Sequence, residues 1–271
     1  MQAKVQTAQI KAEARKAILA PLGLLVFTNV LYESIGGVLQ SVVTAVLPEG
    51  GISLFILSIS LSFIILILLG VLDTGIRSMY LALVFGGPPT GADMFRGFRE
   101  NTNRIVQVRT LYAVIQTICL FPIQYWLFFS ADEMLVLASG NTSAQETAEI
   151  ARSVLSSMPP VIIMQTIGFL LLIAVSIRFS IVYYMMLDFP DLSVPEVLRA
   201  SSRLLQGHVM EFVKLALSFI PLGLMSLISM GIAGFWVKAY EYAAYAAFYK
   251  KLITMHADRI RNTQAQGPDM R

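Results

Sequence analysis

Apolar runs, each about as long as a bilayer crossing, alternate with short polar connections along this chain. A helix needs about 20 predominantly apolar residues to cross the hydrocarbon. Windows of that kind fall at Ile18–Val43, Ile52–Leu72, Val108–Phe129, Val161–Tyr183, Phe212–Ile232 and Gly234–Ile253. The pattern predicts an all-α polytopic helical bundle of about six transmembrane helices. It forms one membrane domain over residues 17–254, between a basic N-terminal segment at 1–16 and a tail at 255–271.

Two connections carry a helical pattern of their own. After the second span, Gly86-Gly87-Pro88-Pro89 turns the chain, Asp93 can cap, and Met94, Phe95 and Phe98 are interleaved with Arg96, Arg99 and Arg104. After the fourth, Pro190 turns the chain, Ser193 and Glu196 have capping-box spacing, and Val194, Val197, Leu198, Leu204 and Leu205 accompany Arg199 and Arg203 before Gly207. Both read as amphipathic elbow helices in the cytoplasmic interface, with Arg96, Arg99, Arg199 and Arg203 as candidates for anionic lipid headgroups. The longest outer connection, Ser130–Pro160, has Ser143 and Glu146 at capping-box spacing and a sequon at Asn141-Thr142-Ser143, which a polar loop can produce by chance.

Composition strengthens the membrane reading. Hydrophobic residues make up 56% and charged residues 14%, against roughly a quarter charged in soluble domains. With the N-terminus inside, the inner connections hold every lysine and arginine except Arg152 and Lys238. That bias is the positive-inside pattern and predicts both termini in the cytoplasm. Basic residues spread in this way do not form a nucleic-acid patch. The basic start resembles a secretory signal, but the apolar run after it is too long for one, so a retained first helix is expected. The lone Cys119 cannot form an internal disulfide and reads as a small packing residue.

Residues 178–252 carry the most specific pattern. It comprises Leu215-Ala216-Leu217-Ser218-Phe219-Ile220 and Ala246-Ala247-Phe248-Tyr249-Lys250-Lys251-Leu252, with Trp236 and Tyr240 between them and Ser201–Gly207 before them. With Gly75–Arg77 and Met94-Phe95-Arg96-Gly97-Phe98, this resembles the bacterial membrane family known as domain of unknown function 975. The chain has Pro221-Leu222 and Ala239-Tyr240 where that family tends to show Gly-Trp and Pro-Tyr pairs. The resemblance implies a bacterial plasma-membrane protein with several spans. It also implies a distant likeness to the membrane domain of some glycerophosphodiesterases, and it brings no reaction, cofactor or functional residue.

Ionisable groups inside spans cost roughly 2.5 to 3.5 kcal/mol at the helix centre and so mark candidate sites. Glu33, beside Asn29, is the candidate for proton or cation handling, against a structural hydrogen bond to a neighbouring helix. Asp73 and Arg77 share a helical face and can pair; Arg178 can snorkel inward; Lys238 and Glu241 can line an outer vestibule or neutralise each other. Ala239, Ala243 and Ala247 form a small-residue face for helix packing, beside a stripe of Tyr242, Tyr245 and Tyr249. Ser53, Ser58, Ser60 and Ser62 share no clean face, and their hydroxyls can bond the preceding turn.

With only His208 and His256, a histidine metal site or a Ser-His-Asp triad has little to build on, and no catalytic residue, metal or cofactor is expected. Asp188 and Asp191 in Asp-Phe-Pro-Asp read as a turn and cap rather than a magnesium site. The expected function is a non-enzymatic multi-pass bacterial plasma-membrane protein, either a transporter-like bundle or an accessory subunit with a membrane-protein partner or a second copy. The alternative is a membrane-embedded enzyme acting on phospholipid headgroups.

Overall fold

The computed structural model describes residues 6–46, 51–140 and 143–265. Glu49, the sequon residues Asn141 and Thr142, and the basic residues Lys4 and Arg271 lie outside them. The described residues form helices and no strand. They divide into two units. Of these, one is built from residues 6–34, 69–108 and 177–265, the other from 35–46, 51–68, 109–140 and 143–176, and four long helices contribute to both.

In the first unit, the basic N-terminal segment folds as a separate helix, α1 (Thr7–Ile18), with Ile10, Ala14 and Ile18 buried at helical spacing. The chain breaks at residues 19–21, around Pro21, before α2 (Leu22–Val46) begins. Pro21 can open a helix but not continue one, which is why the first apolar run does not start at Ile18. α3 (Ile52–Val84) ends at Gly86, whose φ of 89° needs no Cβ. Gly86 N–H donates to Leu83 O (3.1 Å) and Gly87 N–H to Ala82 O (2.8 Å), closing the last turn. The first elbow is shorter than its pattern suggests: a 3-10 turn (Gly91–Phe95) and a single helical turn, α4 (Arg96–Arg99), capped by Thr90 and Asp93. Gly91 and Gly97 weaken a longer helix, and Asn101 at φ 52° starts the next one, α5 (Thr102–Ser139).

The second elbow is a full helix, α7 (Val194–Leu205), following α6 (Ala144–Asp188). Its capping box is formed, with Ser193 N–H donating to Glu196 Oε2 at 2.8 Å, and the Ser193 hydroxyl and amide hold the Glu196 carboxyl below the usual carboxylate range. The fifth apolar run divides into α8 (Val209–Leu217) and α9 (Ile220–Ile228). Pro221 supplies no N–H to the Leu217 carbonyl, so the helix breaks at Ser218-Phe219, and the break leaves the neighbouring Ser218 carbonyl outside the helical ladder. Lys11 of α1 takes it up, with Nζ donating to Ser218 O at 3.0 Å and lying 4.4 Å from the Phe219 ring centre. Burial, reinforced by the charge of Arg15, pulls the Lys11 ammonium below the usual lysine range.

α10 (Ile232–Ala265) is the hub of this unit. Ala239, Ala243, Ala244, Ala246, Ala247, Phe248 and Tyr249 are all buried, and helices buried on every side are apolar on every side. Lys250 joins α10 to the end of α3 through Val84 O (2.8 Å) and to Glu13 of α1 (3.2 Å).

In the second unit, Phe55 of α3 sits among Phe121, Tyr125, Phe128 and Phe129 of α5, with ring centres 5.2 to 5.8 Å away. Trp126 donates to Ser157 of α6 (2.9 Å), and Gly168 lets α6 approach the Cys119 carbonyl so closely that a Cβ would lie 2.3 Å from its oxygen. The expected outer connection Ser130–Pro160 is mostly helical: α5 runs to Ser139, Gly140 turns at φ 64°, and α6 continues through Pro159 and Pro160. The Ser143 and Glu146 capping box opens α6 (Ser143 N–H to Glu146 Oε2, 3.1 Å).

Among the described residues, five segments are long and apolar enough to cross a membrane: Leu22–Ala45, Ile52–Val84, Thr102–Ser130, Ala144–Asp188 and Val209–Ile228. The sixth expected span, 234–253, lies inside α10, which is not one of them. Its apolar content is mainly alanine and tyrosine, and it carries Lys238, Glu241, Lys250 and Lys251. The chain is therefore an all-α, multi-span membrane bundle.

Candidate functional site

The most developed polar constellation is built around Asp73 and Arg77, one turn apart on α3. Arg77 Nε donates to Asp73 Oδ2 at 2.9 Å, and the two side chains are only 12% and 7% exposed. Tyr242 of α10 donates to Asp73 Oδ1 (2.8 Å), so both carboxylate oxygens are engaged. The Arg77 guanidinium carbon lies 4.8, 5.1 and 5.9 Å from the ring centres of Tyr242, Tyr183 and Tyr184. Arg77 Nη1 is buried with no hydrogen-bond acceptor, so the ring faces supply its electrostatic counterpart.

Tyr184 of α6 donates to the Tyr242 carbonyl (3.0 Å), and Asn29 of α2, itself buried, donates to Tyr80 OH (3.2 Å) and Phe235 O (3.3 Å). Tyr249 donates to Asp188 (3.0 Å), and Tyr245 donates to Glu241. The charged pair and its aromatic cage thus join α3, α6 and α10, and Asn29 ties α2 to α3 and α10 beside them. A guanidinium does not give up its proton in proteins. With both carboxylate oxygens occupied, the pair clamps α3 to α10. Sequence spacing brings Asp73 to Arg77 and shows the α10 tyrosines, but it does not reveal Tyr80, Tyr183 and Tyr184. Their signal is the density of tyrosine toward the C-terminal ends of α3 and α6.

Glu33 and Lys238 meet across α2 and α10 in an ion pair, each about two-fifths exposed, so Lys238 is not the partner of Glu241. Lys238 thus supplies the countercharge to Glu33. Glu33→Gln or Lys238→Met alone is expected to cost roughly 1 to 3 kcal/mol, between an exposed pair in water and an unpaired charge in lipid. The exchange Glu33→Lys with Lys238→Glu should recover most of it, as read from detergent melting curves.

A second constellation collects Arg178 from α6 with Arg199 and Arg203 from α7. They line a cleft of about 460 Å³ together with Ser202, Gln206, Gly207 and Val209, and no acidic residue lines it. α7 positions two of the arginines because residues four apart share a helical face. Of the other expected headgroup residues, Arg96 pairs with Glu100 (2.7 Å), and neither Arg96 nor Arg99 lines this cleft. Arg178, expected as an intramembrane anchor, thus belongs with the elbow arginines.

The sequence pattern of the family described as "Protein of unknown function (DUF975)" matches residues 3–256. The chain belongs to this family. The match runs from just before α1 nearly to the end of α10, so it covers far more than the C-terminal pattern and includes the Asp73 and Arg77 clamp and the arginine cleft. No curated protein and no solved structure matches this DUF975 member.

Proposed function

We propose that this chain is a non-enzymatic multi-pass protein of a bacterial plasma membrane that holds anionic phospholipid headgroups at its cytoplasmic face. The observation that carries this reading is the convergence of Arg178, Arg199 and Arg203 on one cleft without a carboxylate. Arginine suits phosphate because its planar fork can donate two parallel hydrogen bonds. Ser202 and Gln206 add uncharged hydrogen-bonding groups at the rim. The inward bias of basic residues supports cytoplasmic termini and an inner-leaflet position for the cleft.

Of the two roles open to such a bundle, ion-coupled transporter or accessory subunit, the pairing of Glu33 with Lys238 favours the second. Tyr249 occupies Asp188, and neither Asp188 nor Asp191 lines the arginine cleft, so headgroup hydrolysis gains no support from them. Each interfacial arginine contributes about 1 kcal/mol toward an anionic surface. Replacing all three with alanine should therefore weaken binding of short-chain phosphatidylglycerol about 100-fold, with phosphatidylcholine as the uncharged control. Unchanged phosphatidylglycerol affinity in a folded triple variant would overturn the reading.

A further inference from the structure

The second unit contains a polar cleft of about 170 Å³ in otherwise apolar surroundings, lined by Gln40 of α2, Ser62 of α3, and Gln116, Thr117 and Gln124 of α5. We infer that this cleft binds a small uncharged solute of the amide or polyol class. Gln116 stands at the middle of the apolar segment Thr102–Ser130. On α5, Leu111, Val114, Ile118, Phe121 and Tyr125 form an exposed stripe at helical spacing, the face that meets lipid. Gln116, Leu120 and Gln124 recur every fourth residue on a different face and line the cleft.

The side chains of Gln116, Thr117 and Gln124 make no hydrogen bond to another described residue, and Gln40 reaches Ser62 only at 3.4 Å. At bilayer depth no solvent replaces those partners, and an unsatisfied amide there costs several kcal/mol. A fitting occupant both donates and accepts, because each glutamine presents two donors and one acceptor oxygen. No lining residue is charged. An ion would therefore enter without a countercharge, against a cost of roughly 2.5 to 3.5 kcal/mol. The volume is below the roughly 300 to 1,000 Å³ of drug-sized sites, which limits the occupant to a few heavy atoms. This inference does not depend on the arginine cleft.

The test places a thiol in the cleft, as Ser62→Cys with Cys119→Ala, in full-length protein reconstituted in phospholipid vesicles. Iodoacetamide and iodoacetate are then compared, each rate divided by its rate with a free small thiol. The neutral reagent is expected to be favoured at least about tenfold, the factor for 1.4 kcal/mol of charge rejection. Acetamide or glycerol should slow it by competition. Ile118→Cys on the lipid-facing stripe, 67% exposed, should react slowly with both reagents.

Reaction of Ser62→Cys no faster than Ile118→Cys would show dry packing and overturn the inference. So would equal normalised rates for the two reagents, or no slowing by acetamide and glycerol. If Ser62→Cys does not elute as a monodisperse helical protein, Gln40→Cys, at an exposed lining position, carries the same comparison.

Discussion

Replacing Arg77 with methionine is expected to destabilise the protein by about 3 to 5 kcal/mol, the loss typical when one partner of a buried ion pair is removed. Asp73 would keep the Tyr242 donor on one oxygen and lose the Arg77 guanidinium from the other. Arg77→Lys should recover only part of the loss. Lysine keeps the charge but lacks the planar group that lies against Tyr183, Tyr184 and Tyr242.

Two further variants separate the charge from the cage. Asp73→Leu combined with Arg77→Met removes both charges, and it should be markedly more stable than Arg77→Met alone, because matched apolar replacements of buried pairs are often nearly neutral. Tyr242→Phe removes one donor and should cost about 1 to 3 kcal/mol. Thermal melting of these variants and of Asp73→Leu alone, in one detergent, closes the cycle and gives the coupling energy between Asp73 and Arg77. A coupling near zero would show that the pair is not a clamp.

What the sequence discloses here is local. Hydropathy identifies the long helices because lipid demands continuous apolar stretches. Capping boxes at Ser143 and Ser193 are legible because their partners lie three residues away. The Asp73 and Arg77 pair is legible for the same reason, at four residues.

Contacts between helices are not legible. Lys238 lies three residues from Glu241 but pairs with Glu33, about 200 residues earlier, and spacing contains nothing about which helix lands beside α10. The sixth apolar run is ambiguous for a related reason: alanine and tyrosine suit both a span and a protein-buried hub. Gln40 lies on α2 and Gln116 and Gln124 lie on α5, and only the eight-residue spacing of the α5 pair, two steps of four, hints at a shared face. In the first elbow, alternation of aromatic and arginine residues suggests a helix, while two glycines and the left-handed Asn101 restrict it to short turns.

Those glycines lead to the second large effect. Gly75 of α3 and Gly97 of α4 interlock: a Cβ on Gly75 would stand 2.0 Å from the Met94 carbonyl oxygen, and one on Gly97 would stand 2.5 Å from that of Val71. Close carbon-to-oxygen contacts normally lie at about 3.3 to 3.6 Å, so either alanine forces backbone apart by close to an ångström or more. Alanine favours a helix over glycine by up to about 1 kcal/mol, whereas overpacking costs typically 1 to 3 kcal/mol when side chains can yield. Here the opposing atoms are backbone, so the clash outweighs propensity. Gly75→Ala and Gly97→Ala should each lower folded yield and melting temperature, and Gly75→Val should prevent folding. Gly37→Ala on α2, where nothing lies within 4 Å, should be neutral or slightly stabilising. Equal melting temperatures for Gly37→Ala and Gly75→Ala would mean that the elbow is not seated on α3. The expected order instead ties the family pattern at Gly75–Arg77 and Met94–Phe98 to a backbone-on-backbone contact, which fixes the turn of α3 that presents Asp73 and Arg77 to the tyrosines.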